Sequence, residues 1–265
     1  VVGGTVTVLT DFGTGSRYAG EVRAVLCAPS PGLPVRVVEL THDVRRHDVR
    51  QGAAILRSVV GLFPPGTVHL AVVDPGVGTA RRGVAVRSGG HLFVGPDNGL
   101  LLTAALALGD PEVREITHPD LRRPRVAATF WGRDVFAPCA RWLALGFPFD
   151  WVGPPVPDPV ALAEQPPRRE PGRLSGEVVG RDPFGNLATN LPGDWLEGLP
   201  EVVVVRVGTR EEVARRVRTY GEASVGDLVV LVGSDGLLEV AVREGDAAER
   251  LQAGPGSPLV LSFAP

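Results

Sequence analysis

Thr5-Val6-Thr7-Val8-Leu9-Thr10-Asp11-Phe12-Gly13-Thr14-Gly15 is a short β-rich run that stops at an acidic residue and a glycine-containing loop. A helical stretch, Tyr18 to Cys27, follows it, and then a second β run, Val35 to Leu40. The figure recurs downstream. Asp48 to Leu62 carries apolar residues at helical spacing and ends before Pro64-Pro65. Thr67 to Val73 is an apolar run, broken only by His69, that stops at Asp74-Pro75-Gly76. Strands alternating with helices predict a largely parallel sheet covered on both faces. Such sheets bind ligands beyond the carboxyl ends of their strands, and Asp11 and Asp74 both stand there. One Asp in that place is ordinarily a turn former or a helix cap. Two at equivalent places point to a site.

Further along, Val84 to Val86 and Leu92 to Val94 predict a hairpin around Ser88-Gly89-Gly90, and Asp134 to Leu145 predicts a helix. Between Val152 and Pro171 the chain is dense in proline and charge, which few strands or helices tolerate. Beyond it, short β runs (Gly176 to Val179, Val202 to Val207, Leu228 to Val232, Leu237 to Val242, Leu259 to Phe263) are separated by glycine turns. The reading is an α/β domain over residues 1–160, a Pro-rich linker over 161–172, and a smaller all-β barrel domain over 173–265.

Composition narrows the chemistry. The chain has 265 residues, 44% hydrophobic and 22% charged, as in a folded protein. Its 34 Gly and 25 Pro have no fibrous period and mean many turns. A formal net charge of -3 gives no basic field for nucleic acid or an anionic membrane surface. All 27 basic residues are Arg, so Schiff-base, pyridoxal-phosphate and P-loop lysine chemistry are excluded. Two cysteines, Cys27 and Cys139, exclude a disulfide scaffold and suit a reducing compartment. With no leader pattern at Val1-Val2-Gly3-Gly4 and no apolar run near the roughly 20 residues of a membrane span, the expectation is a soluble, cytoplasmic protein.

The usual signatures are missing. Gly13-x-Gly15 lacks the third glycine of a dinucleotide fingerprint, and His42, His47, His69, His91 and His118 never pair at metal-ligand spacing. What remains is a series of dense strings. They are Thr10-Asp11-Phe12-Gly13, Thr41-His42-Asp43, Asp74-Pro75-Gly76-Val77-Gly78-Thr79 with Arg81, Pro96-Asp97-Asn98-Gly99 and Thr129-Phe130-Trp131-Gly132-Arg133-Asp134. Asp182-Pro183-Phe184-Gly185-Asn186-Leu187-Ala188-Thr189-Asn190 and Gly233-Ser234-Asp235-Gly236-Leu237-Leu238-Glu239 complete the set. In order and spacing, over nearly the whole chain, these resemble the S-adenosylmethionine hydroxide adenosyltransferases, relatives of the fluorinase and chlorinase enzymes.

The resemblance implies an N-terminal α/β domain, a C-terminal β-barrel domain and a homotrimer. Each active site would lie between one subunit's N-terminal domain and its neighbour's C-terminal domain. The implied reaction is attack of water or hydroxide on C5′ of S-adenosylmethionine, giving adenosine and L-methionine without a cofactor. The sulfonium leaves without a general acid, so catalysis rests on holding the nucleophile in line and stripping its solvent. Asp11 matches the ribose-binding carboxylate. Phe184 and Asn186 match an aromatic and an amide that hold the ligand, and Ser234 matches a contact to the methionine end. Asp182 and Tyr220 complete the implied binding set. Alone, Phe184-Gly185-Asn186 reads as an ordinary turn and Ser234 as a surface hydroxyl.

At the nucleophile site the family hydrolases carry an Asp, an Arg seven residues later, and a His in a Thr-Phe-His-Gly string. Asp74 and Arg81 keep the first two, and otherwise read as a structural ion pair; Trp131 replaces the His. An indole N–H only donates, so Asp74 would accept the proton with Arg81 holding it. Either the enzyme has become slow for want of an imidazole, which is the preferred reading because the rest of the string is intact, or Trp131 packs over the pocket and excludes water. Ser16 stands where the family has an Asp for the methionine amine, and Asp235 where the halogenating enzymes have an Arg. Two alternatives accompany the hydrolase: an adenosine- or S-adenosylmethionine-binding protein with little catalysis, and a halide-using enzyme. The halogenating relatives have Tyr where Asp74 stands, and a carboxylate there repels halide.

Overall fold

β1 (Thr5–Thr10) lies inside a six-stranded sheet whose order is β2-β1-β3-β5-β4-β6. The partners are β2 (Arg36–Thr41), β3 (Val68–Val72), β4 (Gly83–Ser88), β5 (His91–Pro96) and β6 (Glu112–Glu115). β2, β1, β3 and β5 run parallel, and β4 returns antiparallel between β5 and β6. The computed structural model describes residues 3–29 and 34–264. It divides into two units, Val1–Leu162 and Ala163–Pro265. Among the described residues no helix is long and apolar enough to cross a membrane.

Strand alternation explains the layers. Val6, Val8, Leu70 and Val72 face α1 (Arg17–Leu26) and α4 (Ala137–Ala144), while Leu9, Ala71, Val73 and Phe93 face α2 (Val49–Val60) and α3 (Leu102–Leu108). Ser16 caps α1 by accepting the Tyr18 N–H, and Asp48 caps α2 by accepting that of Gln51. The expected hairpin turns on Gly89 and Gly90, whose φ values of 54° and 79° suit glycine at both turn positions.

The helix expected over Asp134 to Leu145 starts earlier and in another form. Gly132–Phe136 is one π-helical turn, with Ala137 N–H donating to Gly132 O, and α4 begins after it. Pro138 is the reason. It has no N–H for the Asp134 carbonyl and its ring would crowd that oxygen; the backbone N–H of Arg123 takes the carbonyl instead, at 2.8 Å.

The second unit is a seven-stranded barrel. Its strands are β8 (Arg173–Arg181), β9 (Leu187–Pro192), β10 (Val202–Val207), β11 (Arg210–Arg216), β12 (Leu228–Val232), β13 (Leu237–Val242) and β14 (Pro258–Ser262), closed by pairing of β14 with β8. A further strand, β7 (Arg168–Glu170), pairs on β8 within the stretch read as linker. β10 alternates cleanly, Val203, Val205 and Val207 inward. β11 has no apolar alternation and buries only Ala214, so its strand is made by pairing with β10 and β12 rather than by its own pattern.

One polar ladder crosses the α2/α3 face. Thr7 Oγ1 lies 2.8 Å from His69 Nδ1, and His69 Nε2 lies 3.1 Å from His91 Nδ1. Phe63 and Phe93 enclose the His69 ring. Burial, reinforced by His91, pushes the His69 pKa from 6.5 down to about 3. The folded protein therefore keeps His69 neutral where the unfolded chain protonates it. Its contribution is complete above pH 6.5 and is lost as pH falls towards 3, by at most about 1.4 kcal/mol per pH unit. His69→Gln keeps hydrogen-bonding atoms and removes the titration. The urea midpoint should then drop less between pH 7 and pH 5 in the variant than in the parent, and equal drops would exclude this account.

Candidate active site

Thr10 pairs with Val72 across the β1–β3 ladder. Asp11 and Asp74 therefore leave neighbouring parallel strands at the same end of the sheet, where the chain departs from β1 towards β2 on one side while β3 lies on the other. Both line a cavity of about 630 Å³, with Phe12, Tyr18, Phe130, Trp131, Arg17 and Arg46 among its walls.

Asp11 is oriented by the backbone. His47 donates its N–H to Asp11 Oδ2 at 2.9 Å, from a left-handed backbone conformation with φ 65°. Asp74 is gripped by Arg81, whose Nε lies 2.8 Å from Oδ1 while its terminal nitrogen meets Oδ2. The pair is bidentate and nearly dry, with side-chain exposures of 7% for Asp74 and 11% for Arg81. Arg81 is not among the lining residues and holds the carboxylate from behind.

Trp131 is the residue that the π turn delivers. Its ring lies 4.5 Å from the Arg81 guanidinium carbon, and Phe136 presents a second ring at 5.2 Å. The indole thus packs on the cation that holds Asp74. Space is tight at Gly132: a Cβ there would stand 3.2 Å from the Phe12 ring and 3.5 Å from that of Phe130. Phe12, Tyr18 and Phe130 meet edge to face as one aromatic wall, with centroids 5.2 to 6.3 Å apart.

Asp134 anchors this wall. It is fully buried and receives Arg133 through two bonds, the Ala127 N–H and Arg123. Burial alone would raise its pKa; Arg133 first, then the Ala127 amide and Arg123, outweigh that and hold the carboxyl below the usual range. Arg133 also reaches Glu21 on α1 at 2.8 Å. Composition gave no signal for this network; its only trace was Arg133-Asp134 at the end of the string that begins at Thr129. Ser16, the departure near the methionine end, is spent as the cap of α1.

In the barrel unit the remaining candidates also cluster. Asp182 forms a turn in which its Oδ1 accepts the N–H groups of Phe184 (2.9 Å) and Asn186 (2.8 Å), and its Oδ2 accepts Asn186 Nδ2 at 2.8 Å. Asn186 is thereby buried and fixed, while Phe184 is 77% exposed. Tyr220 donates its hydroxyl to Glu239, a residue singled out only as the end of a string. Burial, with Tyr220 opposing and Asp182 and Asp235 adding, raises the Glu239 pKa. Burial and then Glu239 raise that of Tyr220. Ser234 sits exposed in the β12–β13 turn beside Asp235, which accepts the Leu237 N–H.

The comparisons with known proteins agree with this layout. The model of the SAM hydroxide adenosyltransferase N-terminal domain matches residues 6–153, and that of the C-terminal domain matches residues 176–260. An (R)-S-adenosyl-L-methionine hydrolase of Salinispora arenicola is 45% identical over 96% of both chains. A fluorinase of Actinoplanes sp. is 29% identical over 89% of this chain and 90% of its own. A crystal structure of an uncharacterized conserved protein from Thermotoga maritima has a TM-score of 0.88 at 37% identity, over 97% of this chain and 99% of that one. With both domains matched in order and the strand-end carboxylates in one cavity, the chain belongs to the SAM hydroxide adenosyltransferase family.

Proposed function

We propose that this protein hydrolyses S-adenosyl-L-methionine, in the (R) configuration at sulfur that its relatives' name specifies, to adenosine and L-methionine. The observation that carries the reading is the desolvated Asp74–Arg81 pair on the wall of the cavity that Asp11 also lines. Water attacks C5′, the C5′–S bond breaks with its electron pair passing to sulfur, and the water's proton goes to Asp74. Asp11 accepts the ribose hydroxyls. Trp131 and Arg81 fix the Asp74 carboxylate. Halide is disfavoured as nucleophile, because the Asp74 carboxylate would repel it. A binding protein with little turnover is the second reading, favoured by Trp131, which has no proton to exchange at neutral pH.

The complete site, in this proposal, forms in a homotrimer, where Asp182, Phe184, Asn186, Tyr220 and Ser234 of a neighbouring subunit close over the nucleoside. Support comes from Phe184, a bare aromatic ring on a turn locked by Asp182. The cytoplasm is proposed as its location, in keeping with two free cysteines. Sedimentation should report a trimer, and Phe184→Ala should weaken adenosine binding; a monomer that binds adenosine as tightly would refute this arrangement.

The activity is tested by incubating separated (R) and (S) epimers and following adenosine by chromatography. Asp74→Asn should lower kcat by roughly 10²–10⁴-fold, the range of a positioned base, and leave the adenosine Kd unchanged. Loss of one ribose hydroxyl should weaken 2′-deoxyadenosine by about tenfold to a hundredfold relative to adenosine, the worth of a charge-assisted bond. No adenosine from either epimer, with tight adenosine binding, would select the binding-protein reading.

The Arg81 stack supports the packing account of Trp131 over the lost-imidazole account. Trp131→His removes the larger ring from the guanidinium and leaves a void beside it. Adenosine release should therefore fall, with adenosine affinity retained. A variant that folds and turns over faster than the parent would restore the imidazole account.

A further inference from the structure

We infer that His42 and Asn98 are positioning residues for the two strand-end carboxylates, His42 for Asp11 and Asn98 for Asp74; the inference rests on the hydrolysis proposed for this site. Neither residue lines the cavity. Each belongs to a string that the proposed chemistry leaves unused.

A carboxylate just past a strand is aimed by the last peptides of that strand, and there the ladder no longer supplies partners. The β1–β3 pairing ends at Thr10 and Val72. On the β1 side, Thr10 Oγ1 lies 2.8 Å from His42 Nδ1, and the same oxygen accepts the Phe12 N–H at 3.2 Å. Which of the two groups donates follows the imidazole tautomer, and in either case the bond ties the end of β1 to the loop that carries His42. The His42 carbonyl takes the Gly13 N–H at 2.7 Å, and Val44 N–H donates to Thr10 O at 3.3 Å. Asp11 is thus bracketed on both sides by contacts to one short loop. Thr10 and His42 are both buried, so the bond is shielded from competing water.

On the β3 side the device is different but its placement is the same. Asn98 donates Nδ2–H to Val73 O at 2.8 Å, on the peptide immediately before Asp74, and its Oδ1 accepts the Leu100 N–H at 3.2 Å. The amide is therefore held at one end by its own turn and grips the β3 terminus with the other. In both cases the clamp comes from the loop after the neighbouring parallel strand: β2 lies beside β1, and β5 beside β3. The two clamps share no residue, so their effects separate.

The test uses the full-length protein, with kcat and KM for S-adenosylmethionine and the adenosine Kd by calorimetry. Asn98→Asp keeps the acceptor for Leu100, loses the donor to Val73 and sets a carboxylate against that carbonyl, while Asn98→Leu removes the donor without adding charge. Both should lower kcat by about tenfold or more with an adenosine Kd near the parent's. His42→Ala and Thr10→Val should weaken adenosine about tenfold with kcat at saturation nearly retained. His42→Asn, whose amide can stand where Nδ1 does, should recover most of that loss. A purely structural role would instead lower stability and move kcat and Kd together, or leave both unmoved, and either result overturns the inference. If the parent releases no adenosine, the hydrolysis reading fails separately. The adenosine Kd values then still decide the His42 half, and a crystal structure of Asn98→Asp decides the other by whether the Asp74 carboxylate has moved.

Discussion

Thr10 beside Val72 in the parallel β1–β3 ladder is the register on which the N-terminal unit is arranged. Side chains alternate with period two along a strand, so a one-residue slip would send each set of side chains to the opposite face. Here the register is doubly enforced, because both faces are covered: Val6, Val8, Leu70 and Val72 pack on one side and Leu9, Ala71 and Val73 on the other. A one-residue slip would therefore exchange the two sets and mispack both cores. The same pairing that forms the core therefore brings Asp11 and Asp74 to a common edge.

The Asp74–Arg81 pair is a poor device for stability. Desolvating two charges offsets most of what their attraction returns. Its value lies in direction. A bidentate guanidinium fixes the plane of a carboxylate, and the Trp131 and Phe136 rings fix the guanidinium. An ammonium would be a point charge without a plane to stack or a fork to match, and this chain contains no lysine at all.

The strand ends were legible because they combine two local signals, an apolar run and an Asp-Gly loop, at Thr10-Asp11 and Val73-Asp74. The barrel was legible where its strands alternate, as in Val202 to Val207, and illegible at Arg210 to Arg216, where pairing alone makes the strand. Within the site, Asp74 was marked by its strand end, whereas Arg81 was marked only by the resemblance to the family hydrolases. What Trp131 does was marked by neither, because its position depends on a π turn forced by Pro138, seven residues away, and on a ring stack that no spacing rule encodes. The anchoring role of Asp134 was hidden for a similar reason. Its partners Arg123, Ala127 and Arg133 converge only after the turn has formed.

Magnitudes bear on whether a site with Trp131 can still work. A positioned acid–base group supplies about 10²–10⁴-fold, or roughly 3–5 kcal/mol of barrier. Holding a nucleophile in line, with its solvent rearrangement avoided, is worth about 7–11 kcal/mol. A sulfonium needs no proton to depart, so the larger effect is the one the proposed reaction draws on. A residue that keeps Asp74 in place by packing on Arg81 preserves that larger effect even though it has no proton to give. On the proposed mechanism, loss of an imidazole is then a change of degree, whereas loss of the geometry that Arg81, Trp131 and the two strand ends maintain would remove the main source of rate.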